Sequence, residues 1–130
     1  MNGGFLQTLV HYGLHLLAPL GLAFLCFRKR PWRAYGILLA TMLIDLDHLL
    51  ATPVFMPGRC SIGFHPLHTL PALIGYGLLL LFGRGSVRII AVGLTFHLFT
   101  DFIDCLWMYR TCAACLEGQR IVPLFQRLFG

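Results

Sequence analysis

Four of the five acidic residues in this chain, Asp45, Asp47, Asp101 and Asp104, lie inside long apolar runs. An Asp at the centre of a membrane-spanning helix costs about 2.5–3.5 kcal/mol, so four together approach roughly 10 kcal/mol before any compensation. The one base within the runs, Arg88, stands at the opposite end of the fourth run, 13 residues from Asp101, too far to pair with them. Either the carboxyls stay protonated or another group supplies positive charge. The six histidines point to that group. His11 and His15 lie in the first run, His48 follows Asp45 and Asp47 in the second, His65 and His68 open the third, and His97 precedes Asp101 and Asp104 in the fourth.

The runs cover residues 5–27, 34–52, 69–82 and 87–109. A spanning helix needs about 20 mostly apolar residues, with about 17 as a working minimum. The first, second and fourth runs meet this, and the third does so only if its helix starts near Pro66. Backbone groups in lipid must be paired within the segment, which makes the runs helices. Only 12% of the 130 residues are charged, roughly half of what a soluble domain carries. That disfavours a soluble enzyme, a disordered tail and a nucleic-acid module. The expected fold class is all-α: a polytopic membrane protein with four transmembrane helices in an antiparallel bundle over residues 1–109. A Cys-containing interfacial tail over residues 110–130 follows it.

The bases set an orientation. Arg28, Lys29, Arg30 and Arg33 fill the first loop, Arg84 and Arg88 flank the third, and Arg59 stands alone in the second. The positive-inside rule puts the first and third loops in the cytoplasm, and both termini and the second loop outside. The first run has no basic residue before it and a basic cluster after it, which fits a retained anchor rather than a cleaved signal. Pro53, Pro57 and Gly58 mark an ordered turn region in the second loop, and residues 83–86 form a tight connection.

Depth follows from about 1.5 Å rise per residue. His11 and His15 fall about 9 and 15 Å in from residue 5, and His48 and Asp45 about 6 and 10 Å back from residue 52. Asp104, Asp101 and His97 fall about 8, 12 and 18 Å back from residue 109. All four segments therefore place their polar residues in the outer half of the membrane. Facing agrees with depth: His11 and His15 are four apart, Asp45 and His48 three apart, and His97, Asp101 and Asp104 form one stripe. Asp47 points away from Asp45, toward a neighbouring helix, Arg59, or the surroundings of the ligands. Because of Pro66, His65 is expected in the loop with His68 on the first helical turn. If instead Pro71 starts the helix, both histidines lie in a re-entrant segment.

Imidazoles and carboxylates together bind first-row transition metals. The ligand pool is His11, His15, Asp45, His48, His65, His68, His97 and Asp101, enough for one or two divalent ions, zinc foremost, with manganese and iron as alternatives. Asp104 is the candidate general base, and Asp47 supports the ligands or takes part in catalysis. Haem held by paired histidines is a rival, disfavoured by the four acids. A metal or proton carrier is another, and it calls for polar residues in the inner halves of the helices. Residues 16–25, 37–43, 74–81 and 89–94 are instead almost wholly apolar.

Cys26 reads as a free packing thiol. Cys60, Cys105, Cys112 and Cys115 map outward, and a disulfide from Cys60 to Cys112 or Cys115 is expected, with a Cys112/Cys115 redox or metal pair as the rival. Residues 120–129 mix apolar and basic residues and read as an interfacial anchor, rather than a cap over the site.

The strings His11-Tyr12-Gly13-Leu14-His15, Asp45-Leu46-Asp47-His48, Phe64-His65-Pro66-Leu67-His68-Thr69 and His97-Leu98-Phe99-Thr100-Asp101 resemble those of a family of small bacterial membrane proteins. More distantly, they are similar to the YdjM-like membrane-bound metal-dependent hydrolases. The resemblance covers about the first 107 residues. It implies that Asp45, Asp47 and His48, then His65 and His68, then His97 and Asp101 carry the wider group's metal motifs. The paired histidines are closer here than in that group, and Pro66 follows the first. The expected function is a metal-dependent hydrolase of the bacterial inner membrane. It would act from the outer leaflet on an amphiphilic phospholipid or lipid-linked substrate, with membrane lipid as its partner and a homo-oligomer left open.

Overall fold

A computed structural model describes residues 3–54, 56 and 58–129. Pro57, one of the expected turn residues, lies outside them. The described chain is helical and has no strand. In order come α1 (Gly3–Cys26), α2 (Pro31–Ala40), a 3₁₀ helix (Thr41–Leu50), a single 3₁₀ turn (Pro66–His68), α3 (Leu70–Phe82), α4 (Ser86–Thr111), a short 3₁₀ helix (Ala113–Leu116) and α5 (Val122–Phe129). Pro31 and Pro71 open α2 and α3, where a missing N–H costs nothing and φ is already helical. Helix α4 packs against α1, α2, α3 and α5, so everything else is arranged around it.

Two segments depart from the expected spans. The second run starts as an α-helix and tightens at Thr41 into a 3₁₀ helix. The third helix starts at Leu70, with Pro71 in its first turn, and both histidines precede it. Its 13 residues reach only about 20 Å, against the roughly 30 Å of a hydrocarbon core. Two helices, Gly4–Cys26 and Ser86–Thr111, are long and apolar enough to cross a membrane.

Burial is inverted relative to a soluble bundle. His15, Asp47, His65, His68, His97, Thr100 and Asp101 are buried, while Leu17, Leu25, Leu50, Leu81 and Phe82 are each at least two-thirds exposed. Two apolar clusters flank the polar interior. One joins Ala23, Ala34 and Leu38, where the end of α1 meets α2 and the start of α4. The other joins Cys60, Cys105, Leu116, Ile121 and Phe125. In the latter, Phe125 of α5 is fully buried against Phe102 and Tyr109. The tail expected to lie as a simple anchor is thus docked on α4, because its amphipathic helix has an aromatic face to bury.

The disulfides also differ from expectation. Cys60 pairs with Cys105, and Cys112 with Cys115. Cys105 lies on the face of α4 that meets the second loop, so it, rather than a tail cysteine, receives Cys60. The turn at Ala113 brings Cys112 and Cys115 within reach of each other, with Cα atoms 5.3 Å apart, and takes both out of any ligand set. Cys26 is free, but exposed rather than packed.

One close approach sets the spacing at the centre. A Cβ at Gly93 would meet the Thr41 side chain at 2.6 Å, so only glycine lets α4 come this near the start of the 3₁₀ helix. One helical turn further on, the same two segments present His97 and Asp45. Gly93→Ala is expected to cost about 1–3 kcal/mol by overpacking, read as a lowered thermal midpoint in detergent. Gly21→Ala is the matched control, with nothing within 4 Å of its Cβ, and should be neutral or slightly stabilising. Cys60→Ser with Cys105→Ser, whose bond closes a separation of 45 residues, should cost about 2–5 kcal/mol. Cys112→Ser with Cys115→Ser, closing a separation of only 3, should cost less in the same assay.

Candidate metal centre

The histidines and aspartates reach the centre from four segments. Helix α4 supplies His97 and Asp101 one turn apart, and α1 supplies His11 and His15 with the same spacing. The 3₁₀ helix supplies Asp45, Asp47 and His48. At about 120° per residue it eclipses Asp45 with His48 and turns Asp47 to about 120° from Asp45, where an α-helix would turn it to about 160°. Asp47 is thereby aimed inward and buried. The fourth segment is the Pro66–His68 turn. His65, restricted by the following proline, is extended. The His68 N–H donates to the His65 carbonyl (3.0 Å), and the Gly63 N–H to the His68 carbonyl (2.9 Å), which together hold His68 in place.

These residues form three groups that can hold a metal ion, each with ligand atoms within 4.8 Å of one another. The first is Asp45, His68, His97 and Asp101; the second His11, His15 and Asp101; the third Asp47, His48 and His65. Asp101 belongs to two of them. Its Oδ2 lies 3.1 Å from His68 Nε2 and 3.5 Å from His97 Nε2, and its Oδ1 lies 3.7 Å from His15 Nε2. His97 Nε2 lies 3.1 Å from Asp45 Oδ1, and His68 Nε2 is 3.3 Å from the same oxygen. Among the described residues, every ion-pair partner of the four aspartates is a histidine.

Hydrogen bonds fix which ring nitrogen is free. His15 Nδ1 donates to the His11 carbonyl at 3.0 Å, leaving its Nε2 toward Asp101. His68 Nδ1 donates to Asp47 Oδ2 at 3.1 Å, leaving its Nε2 toward Asp45 and Asp101. A carboxylate that orients an imidazole in this way raises its basicity as a ligand. His15 Nε2, His68 Nε2, Asp101 Oδ2, His11 Nδ1 and Asp47 Oδ1 are buried without a hydrogen-bond partner. Buried polar atoms are rarely left so; these five fall within the three groups that can hold an ion, and Thr95 Oγ1 is a sixth outside them. The donor set, neutral imidazole with carboxylate, suits a first-row divalent ion.

In the third group His48 and His65 stack with centroids 3.7 Å apart. Burial and the neighbouring His48 hold the His65 imidazole below its ordinary pKa, which favours the neutral, ligand form. His48 is the more engaged, its Nδ1 donating to the Asp45 carbonyl and its Nε2 meeting the Ser61 hydroxyl at 3.2 Å.

Asp47 does not meet Arg59, which donates to the Pro53 and Val54 carbonyls and lies over Phe64. Instead its Oδ2 accepts from the Leu67 N–H (2.9 Å) and from His68. Asp104 falls in none of the three groups. It accepts a hydrogen bond from Gln7 at 2.8 Å and stands 3.9 Å from His11 Nδ1, at the edge of a cavity of about 530 Å³ also lined by Thr8 and Tyr12. Gln7 and Ser61 were not singled out from the sequence. Gln7, a lone amide within the first apolar run, carried a signal; Ser61, in a loop, carried none.

An all-helical protein with an apolar exterior and a buried His/Asp interior able to hold metal is the class this fold and site define. The chain belongs to DUF6122, a family of unknown function, which it matches over residues 5–108. No curated protein and no solved structure matches it.

Asp47→Ala strands the Leu67 N–H and His68 Nδ1 in a buried setting and should cost about 3–5 kcal/mol. Asp104→Ala, at a partly exposed edge, should cost about 1 kcal/mol. Thermal unfolding of chelator-treated protein measures both without a contribution from metal.

Proposed function

We propose that this protein is a membrane-embedded metal-dependent hydrolase acting on an amphiphilic substrate, with one or two divalent ions held around Asp101. The chain crosses the bacterial inner membrane several times, with both termini and the site on the outer side. One observation carries the metal reading: Asp101 is buried, with its two oxygens turned to different sets of imidazoles, some of whose nitrogens are unpartnered. His15 and Asp101 with His11 would hold one ion, and Asp45, His68 and His97 with Asp101 the other. Zinc is the ion this donor set favours first.

Bound there, a divalent ion supplies Lewis-acid polarisation and lowers the pKa of an adjacent water. The chain's own residues do the rest. Asp47 holds His68 in one tautomer. Asp104, oriented by Gln7 at the edge of its cavity, accepts a proton at its carboxylate and is the general base. The resemblance of the His/Asp strings to those of the YdjM-like hydrolases is the ground for the reaction class, and the apolar exterior supports a substrate delivered from lipid.

Elemental analysis of detergent-purified protein tests the centre. Wild type should carry stoichiometric metal. Asp101→Ala should lose all of it, His11→Ala at most the ion on the α1 side, and Asp104→Asn none, while Asp104→Asn abolishes turnover of a lipid phosphoester. Folded wild type without metal after growth with zinc, manganese and iron sinks the proposal.

A further inference from the structure

A second cavity, of about 670 Å³, lies where the Pro66–His68 turn and the start of α3 face the middle of α4 and the start of α5. Leu70, Leu73, Phe99, Phe102 and Leu124 make its wall. Leu70, Phe99 and Leu124 are 67%, 55% and 44% exposed, so the wall opens sideways to whatever surrounds the bundle. Four polar residues border it, Thr69, Thr95, His68 and Arg120, and the last two are in opposite circumstances. His68 is fully buried and belongs to the central His/Asp group. Arg120 is exposed, and its side chain makes no ion pair or hydrogen bond among the described residues. Gly63, with φ +79°, lies beside Arg120 on the same rim: a Cβ there would meet Arg120 Cβ at 3.4 Å.

An apolar slot of this size accommodates a small ligand, and a single unpaired guanidinium at its mouth matches a planar or tetrahedral oxyanion. We infer that the cavity takes the alkyl chain of a membrane lipid whose phosphate headgroup is held by Arg120 and presented to the His68 side of the centre. The inference deepens the hydrolase reading by naming the substrate class, and rests on that reading for the headgroup's fate. Chain and Arg120 contacts themselves require no metal. Docking of α5 acquires a purpose in this scheme, since Leu124 closes one wall of the slot and Phe125 fixes it to α4. The sequence-derived anchor would then also line the substrate site.

The test uses full-length protein in maltoside micelles and dodecyl phosphate as the probe, counted by native mass spectrometry. A diazirine-tipped dodecyl phosphate maps the site by photolabelling. One saturable equivalent is expected, with label on residues 70–73 and 98–102. Arg120→Gln should weaken binding about tenfold or more, as removal of one charge-assisted contact does. Leu73→Trp should block the slot, and neither inorganic phosphate nor dodecanol should compete. Arg120→Gln alters only an exposed side chain, so the test survives if Leu73→Trp fails to fold. Equal binding by wild type and Arg120→Gln, competition by inorganic phosphate, or label spread evenly over leucines such as Leu17 and Leu81 overturns the inference. Metal analysis of the same samples separates the two proposals. Arg120-dependent binding by metal-free wild type keeps the lipid site and removes the hydrolase; metal-loaded protein without such binding does the reverse.

Discussion

Carboxylates in a greasy interior tolerate burial only when charge is returned to them at close range. Asp101 is where this condition is most severe. It is buried in the middle of α4, no Lys or Arg reaches it, and imidazoles from α1, α4 and the Pro66–His68 turn approach both of its oxygens. Two separated segments, α1 and the Pro66–His68 turn, are thereby tied to one residue of the helix around which the bundle packs. An ion shared there would convert mutual strain among acids into attraction. Without compensation, the same cluster would be the least stable part of the molecule.

The surroundings are built to keep that cluster in register. Gly93 sets the distance between α4 and the second segment one turn inward of the polar residues. On the other side, the Cys60–Cys105 bond ties the loop before His65 to α4. Asp47 then fastens the Pro66–His68 turn through a backbone N–H and an imidazole at once. None of these devices supplies a ligand to the central group, yet each limits how far a ligand can move, which is what a site requires of its support. Apolar clusters at both ends keep the polar interior from extending through the bundle.

The arrangement has two approaches. Asp104, Gln7 and His11 face one cavity, and His68, Leu73, Phe99 and Arg120 face another. The proposed centre lies between a side suited to water and protons and a side suited to an alkyl chain. That separation is what hydrolysis of an amphiphile in a membrane would demand, since lipid and water must reach one point from different phases.

Much of this was legible in the chain itself. Apolar runs interrupted by His and Asp at i, i+4 spacing dictated helices with one polar face, and the absence of bases near the acids within the runs dictated that acids meet histidines. His11, His15, Asp45, His68, His97 and Asp101 could be selected on those grounds because helical periodicity is local. The late start of α3 at Leu70 was legible as the alternative that Pro71 offered; what periodicity could not show was the change of helix type at Thr41, which turns Asp47 inward. Asp104 shared the stripe of His97 and Asp101, but standing seven residues past His97 it lies beyond the ends of the ligands, at Gln7. Cys60 found Cys105 and α5 found Phe102 and Tyr109 because docking depends on which surfaces meet in space. Sequence determined the chemistry of the interior, since residue type and local spacing fix what each face can bear; tertiary structure alone decided which faces share a point, since that is a matter of distances between segments far apart in the chain.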